Sequence, residues 1–143
     1  MKKAAGPALQ EQPGHLIRRA QQIAVASFRE IVGSGITPIQ YALMRVLEAQ
    51  PGIDQATLAQ EAALDTSTTA DTAARLEAKG WITREVLPRG QRSLSLTPAG
   101  GAMLASLVPD VQRLQRAIFG ALDAKEQAEF MRLLGKFVTR GGV

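Results

Sequence analysis

Seven polar side chains between positions 67 and 92 carry the chemistry of this chain: Ser67, Thr68, Asp71, Arg75, Arg84, Arg89 and Arg92. Hydroxyl and guanidinium groups hydrogen-bond to phosphate oxygens, and guanidinium and carboxylate groups read base edges. Their chemistry is recognition of a nucleic acid. Catalysis is disfavoured. There is no cysteine, which excludes disulfides, thiolate metal sites and thiol redox switches. A single histidine, His15, leaves no His-rich metal site and no Ser-His-Asp arrangement. No phosphate loop is present, so neither catalytic residues, nor a metal, nor a cofactor is expected. Aromatic residues are only 4%, too few for the stacking platforms that hold single strands. The partner expected is double-stranded DNA.

An isoelectric point near 10.0 and a net charge of +4 suit a polyanion, but placement says more than the total. Residues 1–34 carry five basic and two acidic side chains, 35–100 six and seven, and 101–143 six and four. The central segment is therefore net acidic. Within it, 75–92 holds Arg75, Lys79, Arg84, Arg89 and Arg92 against Glu77 and Glu85. Positive charge is concentrated locally.

The elements that position these residues can be read from periodicity and capping signals. Hydrophobic residues at 45% and charged residues at 21% describe one ordinary globular domain. Residues 1–12 lack periodicity and read as a flexible tail, leaving 13–143 as the domain. A first helix spans about 15–31, with Leu16, Ile17, Ala20, Ile23, Ala24, Ser27, Phe28 and Ile31 on one broad face. Thr37, Pro38 and Gln40 form a start signal for a second helix to about 49, burying Ile39, Leu43, Val46 and Leu47. Asp54 caps a third helix (55–62), which buries Leu58 and Ala59. Asp65 or Thr66 caps a fourth, which ends before Gly80. On that fourth helix Thr69, Thr72, Ala73 and Leu76 point one way, and Ser67, Asp71, Ala74, Arg75 and Ala78 the other.

Two strands follow, over 81–87 and 91–96, with Ile82, Val86, Leu94 and Leu96 as apolar positions and Pro88, Arg89 and Gly90 as the turn. Thr97 and Pro98 open a long helix to about 122, bent or interrupted near Pro109. Asp123 and Glu126 cap a last helix to about 138, with Phe130, Met131, Leu133, Leu134 and Phe137 as its apolar stripe. The expected fold is mainly α with a small β-wing: a winged helix-turn-helix over about 37–98, with N- and C-terminal dimerisation helices at about 15–32 and 99–138. The long terminal helices cannot all pack on so small a centre, so a two-fold homodimer is expected. Its recognition helices would be spaced for successive major grooves of a palindromic duplex. No apolar run reaches the roughly 20 residues that span a bilayer, and no signal peptide is evident. The expected setting is cytoplasmic, with no membrane partner.

Each candidate carries a plainer alternative. Ser67 and Thr68 either meet a groove or cap their helix; Arg84 either meets DNA or pairs with Glu85 or another carboxylate. Arg89 at a turn tip reaches a minor groove or is simply solvated, and Arg92 contacts phosphate or braces the wing. His15 contacts a ligand or is structural, Arg18 is solvated, and Tyr41 and Trp81 are core residues.

Thr37-Pro38-x-Gln40-Tyr41-x-Leu43, Leu58-Ala59, Asp65-x-Ser67-Thr68, Arg75-Leu76-Glu77-x-Lys79-Gly80-Trp81-Ile82-x-Arg84 and Leu96-Thr97-Pro98-x-Gly100 together resemble the MarR-type transcriptional regulators, over about 14–138. Arg18-Arg19-Ala20-Gln21-Gln22-Ile23, with 65–71, looks like the members that control breakdown of aromatic acids. The resemblance implies a dimeric repressor released by a small aromatic carboxylate held between the dimerisation helices and the winged helix. It directs attention to His15, Arg19 and Gln22 on the first helix and Tyr41, Met44 and Arg45 on the second. It also implies DNA contact by Ser67 and Thr68, and either phosphate contact or bracing of the helix by Arg75. Two departures stand out. Asp71 replaces a frequent arginine and would accept from a cytosine amino group or orient a neighbouring arginine. The usual Asp-Arg-Arg of the wing is replaced by 88–92, Pro-Arg-Gly-Gln-Arg. A winged-helix module that binds a protein is the alternative function.

Overall fold

The computed structural model describes residues 6–139; 1–5 and 140–143 lie outside it, and with them part of the expected tail. The rest of that tail departs from expectation: Leu9–Glu11 form a turn of 3-10 helix, and Gln12 Nε2 donates to Pro7 O at 3.2 Å. Helix α1 (Pro13–Ile31) begins two residues before the expected start. Proline is suited to a first helical position, where its missing N–H would have no partner anyway. Helix α2 (Pro38–Ala49) opens on a complete capping box between Thr37 and Gln40.

The helix-turn-helix proper is α3 (Gln55–Glu61) and α4 (Thr66–Ala78). Asp54 caps α3, accepting from Thr57 N at 2.9 Å. Ala63 makes the turn with φ +56°, while Leu64 N donates to Ala59 O and Ala63 N to Gln60 O. This pairing usually ends on glycine.

Strands β2 (Ile82–Val86) and β3 (Arg92–Leu96) pair antiparallel, Ile82 opposite Leu96 and Val86 opposite Arg92. A third strand, β1 (Ile53–Asp54), pairs with the other edge of β3, giving the order β1-β3-β2. Two residues are too few to show a period, which is why the sequence conceals it.

Helix α5 (Pro98–Ala117) runs unbroken through Pro109, which leaves the carbonyl of Ala105 without its helical donor. It stops short of the expected 122 because Gly120, at φ +58°, turns the chain. Helix α6 (Ala124–Val138) starts on the Asp123–Glu126 capping box.

Leu43, Met44, Leu47, Leu58, Leu76, Ile82 and Leu94 form the centre of the core, where α2, α3, α4 and the sheet converge. Two expected core residues are outside it. Ile39 lies on an exposed side of the first turn of α2, and Val86 (73% exposed) lies where the hairpin has run beyond the helices. No residue of α6 is buried, and its apolar stripe stands half exposed.

Candidate nucleic-acid interface

Asp65 sets the start of α4. Its Oδ1 accepts from Thr68 N at 2.6 Å, its Oδ2 from Thr68 Oγ1 at 2.9 Å, and its carbonyl from Thr69 Oγ1 at 2.8 Å. The bonds from Thr68 hold the Asp65 carboxyl below the usual carboxylate range. Capping thus falls to Asp65 and not to Ser67 or Thr68. The Thr68 hydroxyl donates its proton within the cap, whereas Ser67 is exposed with a hydroxyl that makes no intramolecular bond.

The two faces of α4 are as their spacing predicts. Thr69, Thr72, Ala73 and Leu76 are buried; Ser67, Asp71, Ala74, Arg75 and Ala78 are exposed. Asp71 and Arg75 stand one turn apart without an ion pair between them. Gly80 ends the helix at φ +78°, with Trp81 N donating to Leu76 O and Gly80 N to Glu77 O.

The wing is a three-residue hairpin. Leu87 N donates to Gln91 O at 2.7 Å and Gly90 N to Leu87 O at 2.8 Å, with Gly90 at φ +80°. Pro88 and Arg89 occupy the turn and Gly90 the left-handed position that a side chain would strain. Arg89 is exposed at the tip, and Arg92 is exposed at the start of β3, opposite Val86 and next to the turn.

Arg84 behaves differently from its neighbours. Its Nη2 lies 3.0 Å from Glu77 Oε1 and its Nε donates to the same oxygen at 3.3 Å, tying β2 to the end of α4. Glu85, the carboxylate next to it in sequence, points to the opposite face of the strand. Lys79 is also engaged: Nζ donates to Gly35 O at 3.0 Å and sits 4.6 Å from the centre of the Trp81 ring. Among the described residues of 75–92, the cations without an intramolecular bond are Arg75, Arg89 and Arg92.

A cavity of about 400 Å³ lies between α2 and α5, lined by Tyr41, Arg45, Leu104, Val108, Val111 and Gln112 among others. Arg45 Nη1 donates to the Tyr41 hydroxyl at 2.7 Å, which together with Glu48 raises the Arg45 pKa further. A smaller cavity of about 230 Å³ lies beside it, where Gln21, Val25 and Phe28 of α1 meet Tyr41, Val111 and Gln115. Of the six ligand candidates, Tyr41 and Arg45 are brought together.

The others are not. Met44 is fully buried in the core, being one residue and about 100° of rotation away from Arg45. His15 and Arg19 line neither cavity, and His15 Nδ1 accepts from Arg18 Nη2 at 3.1 Å. Gln22 faces a shallow depression on α1 with Arg18 and Arg29; its neighbour Gln21 is the amide that reaches the second cavity. Gln21, Gln112 and Gln115, which no local sequence signal singles out, also line these cavities. Only the packing of α5 across α1 and α2 brings them together.

The family model described as "MarR family" matches residues 34–93. Transcriptional regulator HosA of Escherichia coli O127:H6 is 32% identical over 92% of this chain and 98% of its own. Among solved structures, PcaV from Streptomyces coelicolor, in complex with its natural ligand, superposes with a TM-score of 0.88 at 32% identity, covering 97% of this chain and 100% of that one. BpsR of Bordetella bronchiseptica, whose DNA binding is regulated by 6-hydroxynicotinic acid, gives 0.88 at 29% identity, over 94% and 100%. A winged helix-turn-helix with a capped recognition helix, an arginine-tipped wing and this breadth of similarity makes the chain a member of the MarR family of transcriptional regulators, not of any enzyme family.

Proposed function

We propose that this regulator works in the cytoplasm as a two-fold homodimer, represses transcription from a palindromic operator, and leaves it when a small aromatic carboxylate binds. The observation that carries the DNA half is the distribution of uncommitted polar groups. Ser67, Asp71 and Arg75 stand unbonded on the exposed face of α4, and Arg89 and Arg92 stand unbonded on the wing. Arginine is the residue best suited to phosphate and guanine, and a hairpin tip suits a minor groove. Arg84 serves in this scheme as a brace through Glu77.

The dimer is supported by the apolar surface that one chain leaves uncovered. Leu16 and Ile17 of α1 with Phe130, Leu133 and Leu134 of α6 border an open groove of about 710 Å³. A second copy would cover it with the same residues. The ligand is supported by the cavity at Tyr41 and Arg45, whose apolar walls suit an aromatic ring and whose guanidinium, paired at 3.1 Å with Glu48 of the same cavity, would exchange that carboxylate for the ligand's. The effector named for BpsR is of this chemical class. Ligand and DNA then oppose each other reciprocally, each favouring a different spacing of the two recognition helices.

The test is a titration of the protein–duplex complex, followed by fluorescence anisotropy, with benzoate-, cinnamate- and pyridine-type carboxylates. At least one should weaken DNA binding tenfold or more at saturation, and Arg45→Met should abolish that response while leaving DNA affinity intact. If no compound of these classes shifts the affinity, the effector class is wrong.

A further inference from the structure

Asp71 is an unexplained residue in the middle of α4. It caps nothing, pairs with nothing and leaves Arg75, one turn on, unbonded. Aspartate is among the poorer residues in a helix interior, and at this position no bond compensates. The other acid on the exposed surface of α4, Glu77, is held by Arg84. An acid facing a DNA groove is also repelled by every phosphate nearby. Neither the fold nor bulk attraction accounts for it.

The surroundings of Asp71 suit close approach. Ser67, Ala74 and Ala78, on the same face, are small and exposed, so the helix backbone can sit deep in a major groove and a short side chain can touch base edges. A carboxylate only accepts hydrogen bonds. The major groove offers two donors, cytosine N4 and adenine N6, and adenine sets its N7 acceptor next to the donor, where it would repel a carboxylate oxygen. Cytosine carries no such acceptor on its own edge. We infer that Asp71 reads a cytosine in each half-site by accepting from its N4 amino group. The inference rests on the proposal that α4 enters the groove.

Selection from a duplex library with a randomised core, run in parallel with wild type, Asp71→Ala and Asp71→Asn at one salt concentration, tests it. The wild-type motif should contain a C·G pair at one position repeated by symmetry. Asp71→Ala should lose about tenfold discrimination at that position and keep the rest of the motif. Asp71→Asn should turn the preference there to adenine, whose N6 and N7 suit a carboxamide. Neither variant should melt below wild type, because Asp71 makes no bond in the fold, and Asp71→Ala should melt slightly higher because alanine is the better helix former. An unchanged motif for Asp71→Ala, with or without a uniform gain in affinity for all duplexes, overturns the inference. Failure of the wild type to enrich any motif overturns instead the placement of α4 in the groove.

Discussion

Gly100 packs against the backbone carbonyl of Trp81 so closely that no Cβ fits between them. The contact belongs to a seam. Thr97 N donates to Trp81 O at 2.9 Å and Thr97 Oγ1 to Gly80 O at 2.6 Å, while Gly100 N donates back to Thr97 Oγ1 at 3.0 Å. The end of the recognition helix, the base of the wing and the start of α5 are thereby joined.

Gly100→Ala should destabilise the protein by about 1–3 kcal/mol, since the obstacle is backbone and cannot swing aside. Gly101→Ala, one residue on in the same helix turn and with open space around its Cα, should stabilise by up to about 1 kcal/mol. Urea unfolding of the two variants should move the midpoint in opposite directions.

Ala63→Gly is expected to raise stability by up to about 1 kcal/mol. Ala63 holds a left-handed φ of +56° at a position that glycine fills without steric cost, and relief of that strain exceeds the entropy that glycine adds to the unfolded chain. A thermal melt that falls instead would show that the turn is not strained.

Arg89→Ala and Arg84→Ala should differ in kind. Loss of the wing-tip cation should weaken duplex binding about tenfold or more and lower the salt slope by about one unit per protomer, with the melting temperature unchanged. Loss of Arg84 should cost less than about 1 kcal/mol of stability, its pair with Glu77 being partly exposed, and should disturb DNA binding through the wing's orientation. Salt-dependent anisotropy combined with melting curves separates the two.

Acid should loosen the starts of α3 and α4. Asp54 and Asp65 are both lowered from the usual carboxylate value, each by bonds from the threonine three residues on. A depressed folded-state pKa adds stability above the unfolded value, near 3.9, and that stability is lost as pH falls through the folded value. The contribution should be constant from about pH 7 to 5, begin to fall near the unfolded value and be gone only once the pH is below the folded one. Asp65→Asn, which keeps an acceptor but not the titration, should flatten that part of the acid curve followed by circular dichroism.

Leu134→Glu should convert the protein to monomer and sharply weaken duplex binding, as read by light scattering and anisotropy. Leu134 is exposed in one chain, so the helix itself should persist. A dimer that survives would place the interface elsewhere.

Much of this architecture was legible in the sequence because its signals are local. Thr37, Asp54, Asp65, Thr97 and Asp123 all cap the helices they precede, and the 3.6-residue period sorted the faces of α4 correctly. What depends on distant packing was not legible. The strand Ile53–Asp54 exists through its partners on β3, Val86 looks apolar enough for a core that the hairpin has already left, and Arg84 finds its acid on a different element. Which residues line the cavities was hidden for the same reason. Choosing between Gln21 and Gln22, or Met44 and Arg45, requires the phase of one helix against another, and α5 supplies the opposite wall. The tail before Pro13 and the long helix through Pro109 show that prolines mark boundaries only where the surrounding bonds let them.

The exposed face of α4 separates two demands that proteins often find entangled. Ser67, Asp71 and Arg75 hold nothing together, while Thr69, Thr72, Ala73 and Leu76 behind them do. Side chains on the outer surface can therefore be exchanged at little cost to folding. With α4 in the groove as proposed, single substitutions there would retarget the same scaffold to new control sequences, and evolvability of target choice would follow from the division of the helix into two sides.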